Sequence, residues 1–153
     1  MVKRTIRSAA TVILVLALLV LSGCGADGQV KAMEDYKSGL TSICDQLAAC
    51  NDTLKGIDPE SEDAQKLLLS TVDDIARLFN EAAQLPAPDG YSRAQETAKS
   101  AAGRMQEANE AYHKAFEADT FDQKAFKQAQ EAYHDANGQL QDLLSLLHSS
   151  ARD

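Results

Sequence analysis

The stretch YSRAQETAKSAAGRMQEANEAYHKA, residues 91–115, sets Tyr91, Ala94, Ala98, Ala101, Met105, Ala108, Tyr112 and Ala115 alternately three and four residues apart. An α-helix turns once in about 3.6 residues, so this spacing gathers all eight onto one face. A mean period near 3.5 is that of a seam along which one helix packs lengthwise on another. The residues between are mostly charged or polar, and no alternation of period two competes with this reading.

Two further segments carry the same period. Met33, Tyr36, Leu40, Ile43, Leu47, Cys50, Leu54 and Ile57 form one seam, and Phe126, Ala129, Tyr133, Ala136, Leu140, Leu143 and Leu147 form another. Between residues 64 and 85 the stripe is broader, made of Ala64, Leu68, Val72, Ile75, Leu78, Phe79, Ala82 and Leu85. Three seams and one wide stripe predict an all-α chain, an antiparallel up-down-up-down four-helix bundle. The small residues of the third helix would admit close approach by the larger ones of the others.

Breaks separate the segments. Gly56-Ile57-Asp58-Pro59 reads as a helix stop and a new start, with Asp58 as N-cap and Pro59 in the first turn. Leu85-Pro86-Ala87-Pro88-Asp89-Gly90 is a second break. Glu117 to Thr120 is a third, with Thr120 and Gln123 at capping-box spacing. The resulting segments hold about 26 to 29 residues, roughly 40 Å each as helices. Gly103 and Gly138 fall on outward positions inside helices, at about 1 kcal/mol each relative to alanine. A local bend or close approach by a partner would account for them.

The N-terminus has a different composition. Lys3, Arg4 and Arg7 precede an apolar run of 13 residues, Ala9 to Leu21, which ends in Leu21-Ser22-Gly23-Cys24. The run is shorter than the roughly 20 residues of a permanent membrane span. Basic end, apolar run and terminal box together resemble the signal peptide and lipobox of bacterial lipoproteins. That resemblance covers residues 1–24 and implies a diacylglyceryl group on the Cys24 sulfur with cleavage just before it. Two acyl chains anchor a protein stably. The expected organisation is a signal peptide at 1–23, lipidated Cys24 and a short tether at 24–29, a bundle at 30–148 and a tail at 149–153. Five extended residues after Cys24 reach at most about 17 Å, which holds the bundle close to the bilayer. The expected location is the extracytoplasmic face of the cell membrane, or the outer membrane of a host with two. Gly25 carries none of the retention signal that an aspartate there would supply.

Cleavage removes three basic residues and no acidic one, taking the formal charge from −8 to −11. Such a surface offers nucleic acid no cationic footprint, so charged partners should be basic proteins or cations. Cys44 and Cys50 remain once Cys24 is assigned to lipid. Six residues of continuous helix advance about 9 Å, beyond the roughly 7 Å limit between disulfide-linked α-carbons. Free, packed thiols are therefore expected unless the helix breaks between them.

Glu110-Ala111-Tyr112-His113 recurs as Glu131-Ala132-Tyr133-His134. Glu-x-x-His on two helices resembles half of the di-metal carboxylate site of ferritin-like proteins, in which every ligand faces the core. Here the seams put Tyr112 and Tyr133 inward. His113 and His134 then lie one step beyond the seam, with Glu110 and Glu131 on the far side. The first two helices place no carboxylate on their apolar stripes. A solvated face is the simpler reading, with Lys114 as a helical partner for Glu110. A surface zinc site on one of the pairs is the alternative.

His148 lies outward near the end of the chain. There is no Gly-rich phosphate loop, no Cys-x-x-Cys, and no inward histidine to serve a nucleophile. Tyr36, Tyr91, Tyr112 and Tyr133 all fall on seams, where the ring packs and the hydroxyl reaches a polar edge; lining a ligand cavity is their other use. The mature part is similar to small helical bacterial lipoproteins, a resemblance that implies no particular activity. The expectation is a lipid-anchored, non-catalytic interaction module on a membrane-proximal envelope protein, with no resident cofactor. The alternative is a small-ligand or metal-binding lipoprotein using the bundle interior or the histidine face.

Overall fold

A computed structural model describes residues 25–149; Leu21, Ser22, Gly23 and Cys24 lie outside the described residues. Four helices follow in order: α1 (Gly25–Lys55), α2 (Ala64–Gln84), α3 (Ser92–Glu117) and α4 (Gln123–Ser149). Each packs beside the one before it, through connections short enough to force an antiparallel four-helix bundle. No described helix is long and apolar enough to cross a membrane.

The core is what the seams specify. Tyr36, Leu40, Ile43 and Leu47 enter it from α1, and Val72, Ile75, Leu78, Phe79 and Ala82 from α2. From α3 come Ala94, Ala98, Ala101, Met105 and Ala108, and from α4 Ala136, Leu143 and Leu147. Helix α2 buries more of its circumference than the stripe implied, adding Leu69, Thr71 and Ala76. Thr71 satisfies its own hydroxyl by donating to the Leu67 carbonyl at 2.7 Å, so burial leaves no orphan there.

The helices are not equally close. α3 and α4 approach each other most tightly, α2 and α3 less so, and α1 and α2 least of these neighbours. Ala98, Ala101, Ala108 and Ala115 of α3 and Ala125, Ala129, Ala132 and Ala136 of α4 are all buried, and methyl-sized side chains let two backbones come together. α1 instead presents tyrosine, leucine and isoleucine, which hold its axis farther out.

Three boundaries differ from the sequence reading. Helix α2 starts at Ala64 rather than Pro59. Asp58 accepts the Glu60 N–H at 3.0 Å and Ser61 accepts the Asp63 N–H at 3.3 Å, so these residues build turns before the helix instead of capping it. That leaves α2 with 21 residues against 31 in α1. Helix α4 is capped by Asp122, whose carboxylate accepts the Ala125 N–H at 3.0 Å, and not by Thr120. Finally, residues 25–29 are helical and belong to α1 rather than forming an extended segment.

The break between α2 and α3 falls where expected, with Gly90 at φ +87°. One side chain secures it: the Gln95 amide donates to the Ala83 carbonyl at 2.5 Å and accepts the Ala87 N–H at 3.2 Å. At the opposite end Gln65 donates to the Phe116 carbonyl at 2.9 Å. There Tyr112, Phe116, Phe121 and Phe126 form an aromatic cluster of edge-on and tilted pairs with centroids 5.2 to 5.9 Å apart.

Candidate functional site

The bundle brings the glutamates of the two Glu-x-x-His motifs to one groove and leaves their histidines apart. Glu110 and Glu131 line one shallow polar groove on the outer face of α3 and α4, with Arg104, Glu107, Lys114 and Gln128. Arg104 ties this face together, bridging to Glu107 on its own helix and to Asp135 of α4 at 2.6 Å. Glu110 accepts from the Gln106 amide at 3.1 Å rather than pairing with Lys114, and Glu131 lies 3.8 Å from Lys127.

His113 points away from that groove, toward α2. Its Nε2 lies 2.9 Å from an Asp73 carboxylate oxygen and its Nδ1 2.9 Å from Glu117. Asp73 also accepts from the Asn109 amide at 3.0 Å, so one carboxylate of α2 holds two side chains of α3. The Asn109 carbonyl oxygen is buried with no hydrogen-bond partner. The hydrogen bond to Glu117, and after it the bond to Asp73, raise the imidazole pKa, while partial burial opposes them. A ring bonded to carboxylates through both nitrogens is fully matched only when both carry protons. His134 stands exposed and apart, so the structure does not assemble the two pairs into one site. Among the described residues no group of three or more histidine, cysteine, aspartate or glutamate side chains could hold a metal ion.

His148 is exposed and bonds the Leu144 carbonyl at 2.7 Å through Nδ1. Cys44 and Cys50 are free, half-buried thiols whose pKa values burial pushes up. Tyr133 is half-buried and donates to Asn51 of α1 at 2.7 Å. Tyr36 is different: it is 2% exposed, and its hydroxyl is buried with no partner.

Two features were missed when the helices were read only for their buried faces. Asp27, Glu34, Asp45 and Asp52 follow one another at intervals of 7, 11 and 7 residues. Each interval is close to a whole number of turns, so the four form a line about 38 Å long. All four are exposed, on the side of α1 opposite Tyr36, Leu40, Ile43 and Leu47. Among the described residues Asp52 pairs with Lys55 at 3.2 Å, and the other three have no cation within ion-pair distance. The 7-11-7 spacing was the available signal. The second feature is an apolar groove between the start of α1 and the α2–α3 connection, which sequence spacing does not reveal because its walls are far apart in the chain.

Comparison with protein-family models, with curated proteins and with solved structures finds no match to this chain.

Proposed function

We propose that the chain is a lipid-anchored extracytoplasmic protein acting as a non-catalytic interaction module, which docks a basic, membrane-proximal envelope protein along the outer face of α1. The line of carboxylates on that helix carries the reading. An exposed carboxylate adds little to the stability of its own fold. The four outnumber Lys31, which lies among them on the face turned from the core, and leave a negative field that steers and orients a cationic partner. The formal charge of −11 expected after cleavage acts in the same sense. Position supports the reading as well. The line begins at Asp27, three residues after the proposed lipid attachment at Cys24, and runs along the helix that leaves the anchor.

In-cell crosslinking of the tagged protein tests this, with Cys24→Ala and a Glu34→Lys/Asp45→Lys double variant beside it. One dominant membrane partner, lost in both variants, is the expected result. Self-crosslinks alone, or a partner kept by the charge-reversed chain, would overturn it.

A further inference from the structure

The groove beside the start of α1 has a volume of about 650 Å³. One bank is α1 itself, through Gly28, Ala32 and Tyr36; the other is the connection from α2, through Leu85, Ala87 and Pro88. The second bank is held firmly. Gln95 bonds the backbone on both sides of Leu85, and Leu85 seats on α1 because residue 39 is glycine, where a Cβ would meet both Leu85 methyls at 3.1 Å. The groove is therefore a fixed feature of the bundle and not a gap between loose ends.

Its lining specifies an occupant with two properties. The walls are largely apolar, which suits hydrocarbon. Asp35 and Asp89 also line the groove, and their carboxylates repel a fatty-acid carboxylate or a phosphate headgroup. An uncharged hydrocarbon chain meets both conditions.

The chain supplies such a group next door. Gly28 stands four residues after Cys24, a separation that cannot exceed about 14 Å in any conformation. We propose that the groove holds one acyl chain of the diacylglyceryl group on Cys24 of the same molecule. The proposal rests on the lipid-anchor reading given above. One chain in the groove and one in the bilayer makes the anchor weaker than two inserted chains, and so reversible by small changes at the groove.

The test is to feed cells a photoreactive diazirine fatty acid, irradiate intact membranes, and map crosslinks on the purified full chain by mass spectrometry. The intact mass first reports whether Cys24 carries the diacylglyceryl group; its absence would overturn the anchor itself. With the lipid present, crosslinks within the same chain at residues 28–36 and 85–89 are expected. Ala32→Phe, which fills the groove from an exposed position, should reduce them at least tenfold while the lipid mass at Cys24 is unchanged. Crosslinks only to membrane lipids or to other proteins, or a pattern indifferent to Ala32→Phe, would overturn the groove assignment and leave the anchor standing.

Discussion

The α3–α4 pair and the α1 flank solve the same packing problem in opposite ways. Between α3 and α4 the buried residues are mostly alanine, the backbones come close together, and the shallow grooves left along the outside of the pair are lined largely by polar side chains. Along α1 the buried residues are large, the axis stands off, and open space remains beside it, in the Gly28–Pro88 groove and in a smaller apolar cleft lined by Leu40, Leu144 and Leu147. Small side chains give a rigid pair with a polar outer surface. Large ones give a helix that is anchored along one line and free to present its other faces. The features that suggest recognition, the carboxylate line and the apolar groove, both belong to the second arrangement.

The comparison can be broken most decisively at Leu40, which is 1% exposed on α1. Leu40→Ala should destabilise the chain by about 3 kcal/mol, the range for a buried leucine truncated to leave a cavity. A denaturation midpoint moved by less than a third of that would mean α1 is not a full member of the bundle. Next comes volume added to the tight pair. Ala136 is fully buried, and Ala136→Leu should cost about 2 kcal/mol by overpacking, whereas Ala32→Leu on the groove bank should cost almost nothing. Equal costs would show that the two regions are packed alike.

Smaller effects sharpen the contrast. Tyr133→Phe removes the hydrogen bond from α4 to Asn51 on α1 and should cost about 1 kcal/mol in chemical denaturation. Gly138→Ala should stabilise by up to about 1 kcal/mol, since a Cβ there meets nothing within 4 Å. A loss of stability would mean that the outer face of α4 is not open.

The smallest effect concerns pH and sits between α2 and α3. The folded pKa of His113 is raised, so the charged ring is favoured by folding. Its contribution is complete below the unfolded value near 6.5 and is lost as pH rises through the higher folded value. Stability should therefore fall over that interval, and His113→Gln should flatten the dependence in melts taken across pH 5 to 9. A wild-type profile unchanged by the substitution would count against the clamp.

The bundle was legible because each seam repeats often enough to define a face. Leu40, Met105 and Leu143 are buried where the period places them. Helix ends were less so. Asp58 and Pro59 are turn formers as well as helix starters, and only the hydrogen bond from Glu60 to Asp58 shows which role prevailed. Asp122 was overlooked beside Thr120 because both residue types cap helices and one alone could do so. The environment of His113 was not legible at all, since Asp73 lies forty residues away and only the packing of α2 on α3 brings it within reach. Glycine at position 39 gave no hint of its purpose until Leu85 was seen against it.

Helix α1 already includes Gly25, the residue that follows Cys24, and this has a mechanical consequence. In a chain held by lipid at Cys24, a pull on the anchor has no slack to take up. Force enters the helix at its end and travels along its axis. The Tyr36, Leu40, Ile43 and Leu47 contacts are then loaded together in shear, rather than opened one after another. The bundle would resist such a pull as a single body and yield abruptly.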